Sequence, residues 1–179
     1  YSLSLDLVDK RLVTRQLVLT VGYDIKNLKD PKLRKRYHGE ITTDHYGRQI
    51  PRHAHGTVNL PRQTSSSSQI ITAVTDLYAR IVNPELLVRR LTLTATHVAE
   101  EIPMEQKETY EQLNLFTDYE LLEQQEAQEK EKLEKERKMQ EAMLEIKKKY
   151  GKNSILKGMN LQDGATAIDR NQQIGGHKA

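Results

Sequence analysis

The 179-residue chain contains no cysteine and one phenylalanine, and none of its apolar runs approaches the roughly 20 residues that a membrane-spanning helix requires. Without cysteine there is neither a disulfide framework nor a thiolate metal site, and nothing argues for export. The first residues also lack the basic start and apolar stretch of a signal peptide, so a cytoplasmic protein without a membrane partner is expected. Catalytic signatures are equally scarce. There is no nucleophile elbow, no phosphate-binding loop, no dinucleotide fingerprint, and no pair of strand-borne carboxylates to hold two magnesium ions. No catalytic residue, no metal ligand and no cofactor is therefore assigned to this chain.

Charge is present but uneven. The net charge is +3, yet residues 1–98 carry 15 Lys and Arg against 8 Asp and Glu, while the remainder carries 13 against 17. Only the first half is expected to meet a polyanion.

An apolar pattern (Leu3, Leu5, Leu7, Val8) is already running at the first residue, Tyr1, and reads as the end of a helix entered in mid-element. A chain of this length holds one ordinary domain with appendages, and it is read as a fragment. Residues 10–15 form a polar, basic connection. Residues 16–24 alternate as a half-buried strand, with Leu17, Leu19, Val21 and Tyr23 on one face and Gln16, Thr20 and Gly22 on the other. Val18 interrupts the polar face. Residues 25–52 show no sustained period and read as a long excursion between strands. Residues 53–61 alternate again, with Ala54, Gly56, Val58 and Leu60 opposed to His53, His55, Thr57 and Asn59, until Pro61 breaks the pattern.

The Thr and Ser residues of 64–68 offer several N-caps to a helix whose apolar positions are Ile70, Ile71, Val74, Leu77, Tyr78 and Ile81, stopped by Asn83-Pro84. Residues 88–98 form a third strand, with Leu91, Leu93 and Ala95 opposed to Arg90, Thr92, Thr94 and Thr96. This order describes an α+β domain, an antiparallel sheet with helices on one face, over residues 1–103. A connector follows over 104–118. Residues 119–150 carry Glu and Lys four apart (Glu126 and Lys130, Glu131 and Lys135, Glu134 and Lys138, Glu145 and Lys149), the spacing that supports a single helix. Leu133, Met139, Met143 and Ile146 are too sparse for a coiled-coil seam. Gly151 suits the helix stop, and 151–179 is expected to be a flexible tail.

Thr hydroxyls and Arg guanidiniums on one flat sheet face can touch successive phosphates without reading bases; an ordinary solvated face is the plainer reading. Arg62 and the hydroxyls after it precede a helix start, where free N–H groups suit a phosphate but also suit a plain cap. His53 and His55, with His38 and His45 nearby, lack zinc-type spacing. The segment Gln112-Leu113-Asn114-Leu115-Phe116 differs in kind: it holds three large apolar side chains, including the only Phe, on a polar connector. Such anchors dock linear peptides into a partner's pockets, unless the segment folds back onto the domain.

That segment matches the Gln-Leu-x-Leu-Phe form of the bacterial sliding-clamp-binding motif, and the resemblance makes Gln112, Leu113, Leu115 and Phe116 the clamp-docking residues. The preceding region resembles the little-finger domain of Y-family translesion DNA polymerases, especially the UmuC-like (ImpB/MucB/SamB) group. The stretches that carry the resemblance are residues 8–14 leading into 17–24, residues 56–64 (Gly-Thr-Val-Asn-Leu-Pro-Arg-Gln-Thr), and residues 88–93 (Val-Arg-Arg-Leu-Thr-Leu), with 164–168 and 175–179 in the tail. The resemblance implies a β-α-β-β-α-β sheet lying along DNA, here incomplete at its start. The family's catalytic carboxylates have no counterpart, so the magnesium expected of a parent polymerase would belong to domains outside this sequence. Arg15, Arg52, His55, Thr57, Arg62, Thr64, Arg89, Arg90, Thr92 and Thr94 are the residues assigned to DNA-backbone contact. Error-prone damage bypass, with DNA and the sliding clamp as partners, is the implied role. A non-catalytic adaptor working through the charged helix is the alternative.

Overall fold

The computed structural model describes residues 1–101, 119–174 and 177–178, and the chain divides into two compact units, Tyr1–Lys107 and Glu108–Ala179. The first is α+β. Helix α1 (Ser2–Asp9) turns at Arg11, whose φ of 54° is left-handed, into strand β1 (Leu12–Tyr23). Two short helices, α2 (Lys26–Lys29) and α3 (Pro31–Arg36), and a small hairpin of β2 (Ile41–Thr43) and β3 (Gln49–Pro51) follow. Then come β4 (Ala54–Thr64), α4 (Ser67–Ile81) and β5 (Val88–Glu100). The main sheet is antiparallel in the order β4-β1-β5, so β1 alone is paired on both sides.

The alternation of β1 sorts its side chains. Leu17, Leu19, Val21 and Tyr23 are all buried beneath the helices, as the pattern predicts. Burying each large apolar group stabilises the fold by roughly 1.5 to 3 kcal/mol. One cluster joins Leu7, Leu17, Leu60 and Ile70, and another joins Leu19, Val21, Tyr23, Leu77 and Leu86. Val58, Val74 and Leu93 pack against both clusters, making one continuous core. Helix α4 starts where the serines predict, with Ser66 Oγ accepting from Gln69 N at 3.3 Å. It lies close over Gly56, where an added Cβ would come within 2.9 Å of Leu77 Cδ1.

Three expectations are corrected. Residues 10–15 are not a connection, because β1 already begins at Leu12; the alternation is hidden by a distortion at Thr14–Gln16. Pro61 does not end β4. Thr14 pairs with Thr64 and Gln16 with Asn59, so β4 carries extra residues opposite this point, and an edge strand accepts Pro at such a bulge. The excursion at 25–52 is mostly structured. Asp30 caps α3, accepting from Lys32 N at 2.8 Å, with Pro31 at the first helical position. The hairpin turn is closed by Asp44 and by Gly47 at φ 75°.

In the second unit, α5 (Tyr119–Tyr150) is followed by a 3₁₀ turn (Gly158–Leu161), helix α6 (Ala167–Asn171) and a small pairing of β6 (Gln173–Ile174) with β7 (His177–Lys178). The tail thus holds more order than its composition suggests. Lys147 Nζ donates to the carbonyls of Lys152 and Ile155 at 2.6 and 2.8 Å, and Asn171 Nδ2 donates to Asn153 Oδ1 at 2.7 Å. The Glu131–Lys135 pair forms, and Arg137 pairs with Glu141. The helix is not solvated all round: Leu133, Glu136, Arg137, Met143, Leu144 and Lys147 are half-buried along one stripe, with Gln140 buried at its centre.

Leu17→Ala should destabilise the first unit by about 2 to 5 kcal/mol, whereas Leu91→Ala, at a position 55% exposed, should cost under about 0.5 kcal/mol. Urea denaturation of the two variants checks this; equal losses would mean that the core has been misplaced.

Candidate nucleic-acid interface

The sheet face opposite the helices is built from three cross-strand rows. Asn59, Gln16 and Thr96 form one row, Thr57, Val18 and Thr94 the next, and His55, Thr20 and Thr92 the third. Gly22 pairs with Arg90 beyond them. Polar side chains hold the rows in place: Thr96 Oγ1 donates to Gln16 Oε1 at 2.8 Å, and Gln16 Nε2 donates to Asn59 Oδ1 at 2.9 Å. Thr20 Oγ1 and His55 Nδ1 lie 3.0 Å apart. Thr57, Thr92 and Thr94 are exposed on this face, so the structure brings together His55, Thr57, Arg90, Thr92 and Thr94 as the alternation predicts. An added Cβ at Gly22 would meet Arg90 Cβ at 3.7 Å, ordinary contact.

Arg89, Arg15 and Arg62 lie at irregular points of the sheet. Gly22 pairs with Arg90 and Tyr23 with Val88, which leaves Arg89 as the extra residue of a β-bulge, outside the alternation that places Arg90. Arg15 is exposed at the distortion of β1, level with the β4 bulge that contains Arg62. On β5, His97 takes a left-handed φ of 50° at the same level. Thr14, fully buried there, donates from Oγ1 to Thr96 O at 2.6 Å and so ties the distorted strands together.

Two assigned residues are engaged elsewhere. Thr64 is only 9% exposed, and its Oγ1 accepts from Ser66 N at 3.0 Å, so it organises the entry to α4 and is not displayed to a ligand. Arg52 pairs with Glu40 and its backbone N donates to Glu40 O at 2.8 Å, which offsets its charge and fixes the end of the small hairpin. Residues 112–116 lie outside the described residues. His53 and His55 face each other edge-on with ring centroids 6.4 Å apart, and among the described residues no group of three or more His, Asp or Glu could hold a metal. Nor is any helix among them long and apolar enough to cross a membrane.

Beside the sheet, Asp44 Oδ1 accepts from the backbone N of Tyr46 and Arg48, each at 2.9 Å, and Oδ2 accepts from Arg48 Nε at 2.8 Å. The Arg48 side chain foremost, and then these backbone donors, hold the Asp44 carboxyl below its ordinary range; Asp44 in turn raises Arg48. Tyr37 is pushed up, mainly by burial, while its Oη donates to Glu40 O at 2.6 Å. Sequence reasoning missed this hairpin, although Asp44 followed by Gly47 is a turn signal with a mechanism.

Comparison of the chain with protein-family models, with curated proteins and with solved structures gave no match.

Because the folded Asp44 pKa is depressed, its contribution to hairpin stability is fully present above the ordinary carboxylate range and is lost as pH falls through the lowered value. The amide resonances of Tyr46 and Arg48 should therefore titrate together, with a midpoint below that of an unstructured aspartate. A midpoint at or above the unstructured value would refute the capping role.

Proposed function

We propose that this chain is the DNA-gripping and clamp-docking region of a Y-family translesion DNA polymerase of the UmuC-like group, without the catalytic domains, and that it serves damage bypass in the cytoplasm. The observation that carries the reading is the outer face of the sheet. It sets the exposed hydroxyls of Thr57, Thr92 and Thr94 in register at strand spacing, beside His55 and Arg90. Such a face suits phosphates irrespective of sequence. The family resemblance in the sequence supports the same reading, and Gln112-Leu113-Asn114-Leu115-Phe116 supplies the clamp contact. The chemistry of nucleotide transfer and its magnesium would belong to the polymerase's other domains.

The full chain should bind duplex DNA weakly, without sequence preference, and with affinity that falls steeply as salt rises. In fluorescence anisotropy, Arg89→Ala with Arg90→Ala should weaken binding on all sequences alike and flatten the salt slope, with circular dichroism unchanged. Salt-independent affinity, or unfolding of the double variant, would count against the reading.

A synthetic peptide covering residues 109–118 should bind purified bacterial sliding clamp with modest affinity. Ordering the peptide offsets part of the roughly 1.5 to 3 kcal/mol gained by burying each of its large apolar groups. Replacing Leu115 and Phe116 by Ala should abolish that binding. Equal binding by both peptides would remove the clamp from the partners.

A further inference from the structure

The α2–α3 segment, which the sheet-face proposal leaves unused, carries a dense run of cations. Lys26, Lys29, Lys32, Arg34, Lys35 and Arg36 are all exposed, against two carboxylates, Asp24 and Asp30, in the same stretch. Those two are turned to the backbone: Asp24 Oδ1 accepts from Lys26 N at 2.8 Å, and Asp30 Oδ1 accepts from Lys32 N at 2.8 Å. The next two acids downstream, Glu40 and Asp44, pair with Arg52 and Arg48. The carboxylates nearby in sequence are thereby engaged, Arg34 Nη1 donates to Tyr37 O at 3.2 Å, and the exposed lysines of α2 and α3 are left for a ligand.

The segment is also held in a fixed place. Asn27, fully buried, donates from Nδ2 to Asp24 O and to Leu87 O, each at 2.9 Å, and its Oδ1 accepts from Leu87 N at 2.9 Å. Asp24 N donates to Leu87 O at 2.8 Å. Leu87 lies two residues before Arg89, so this buried amide joins the base of α2 to the end of the sheet where Arg89 and Arg90 begin β5. A buried polar side chain with its hydrogen bonds satisfied specifies one geometry, because leaving any of those groups unpaired is costly.

We infer that α2 and α3 form a second nucleic-acid-backbone contact, continuous with Arg89 and Arg90, that grips phosphates beyond the end of the sheet face. The inference rests on the proposed DNA-binding function and extends it to residues outside the sheet. Charge density favours a duplex: the six residues of α3 span about 9 Å at the helical rise, and about five phosphate charges lie along that length of duplex axis. A membrane surface fits less well. The one large apolar side chain of α3, Leu33, is half-buried in a recess shared with Arg36, Tyr37, Glu85 and Leu86, so α3 presents no large exposed apolar side chain to insert among lipids, and Glu85 is the acid nearest its cations in that recess.

The test uses the full chain and a charge-matched control. Lys29→Gln with Lys32→Gln and Lys35→Gln removes three exposed charges whose side chains make no ion pair among the described residues; Lys130→Gln with Lys132→Gln and Lys138→Gln removes three from α5. Anisotropy of labelled duplex is followed across a salt series, and binding to phosphatidylserine vesicles is measured in parallel. The first triple variant should lose about tenfold or more in affinity and flatten the slope of log K against log salt by about 2 to 3, while the α5 control should change the slope by less than about 1. Equal slopes for the two triple variants would overturn the inference. If the α2–α3 variant binds as the native chain does while Arg89→Ala with Arg90→Ala weakens binding, the inference falls and the sheet-face reading stands. If the native chain does not bind DNA at all, both fall. If it binds vesicles more tightly than duplex, and the α2–α3 variant loses that binding, the segment is a membrane contact and the inference is overturned.

Discussion

The two-sided pairing of β1 is the constraint on which the first unit depends. A strand paired on both flanks has no edge, and its alternate side chains must go either under the helices or onto the opposite face. Leu17, Leu19, Val21 and Tyr23 take the first course, and Gln16, Thr20 and Gly22 the second. Slipping the register by one residue would exchange the two sets, placing a row of leucines on the outer face and a glutamine in the core. The fully buried leucines that hold the helices therefore also keep the polar rows in register. The relay from Thr96 through Gln16 to Asn59 acts on the outer face, where hydrogen bonds across three strands set the spacing between side chains.

Much of this was legible because period-two and period-3.6 patterns are strong wherever one face is buried and the other is not. Leu17 through Tyr23 meet that condition throughout, and in Ile70 through Ile81 the buried Ile70 and Leu77 do, while Ile71 and Tyr78 are exposed; both elements lie where their patterns place them. What was missed lies where the pattern is locally broken. The start of β1 was hidden because Thr14 is buried within a distorted ladder while Arg15 is exposed, so neither obeys alternation. Pro61 reads as a stop in any strand whose neighbours are unknown; that it sits on an edge strand opposite a register shift is a tertiary fact. The short elements at 26–51 have too few residues for a period to emerge, and only their caps, Asp30 with Pro31 and Asp44 with Gly47, announce them. For the candidate site, parity alone placed His55, Thr57, Arg90, Thr92 and Thr94 on one face. Parity could not show that Arg52 is paired, that Thr64 is turned inward, or that Arg89 is a bulge residue, since each depends on a partner remote in sequence or on a one-residue register shift.

The irregularities also bear on the edges of the sheet. In the sheet as described, β4 and β5 are its edge strands, and a long regular edge is a template for pairing with another chain. Both are interrupted. Strand β4 has its Pro61 bulge, and β5 has a bulge at Arg89 at one end and a left-handed residue, His97, near the other. Each interruption twists the backbone away from the straight geometry a partner strand would need, and Arg89 adds a charge whose desolvation would oppose edge-to-edge pairing. The same backbone departures fall at Arg15, Arg62 and Arg89. An interruption that blunts an edge thus also takes the residue at that point out of the alternation of its strand. The outer face combines the cross-strand bonds of Thr96 with Gln16, of Gln16 with Asn59 and of Thr20 with His55 with the exposed hydroxyls of Thr57, Thr92 and Thr94, so its polar order is set by the central strand and not by its interrupted edges.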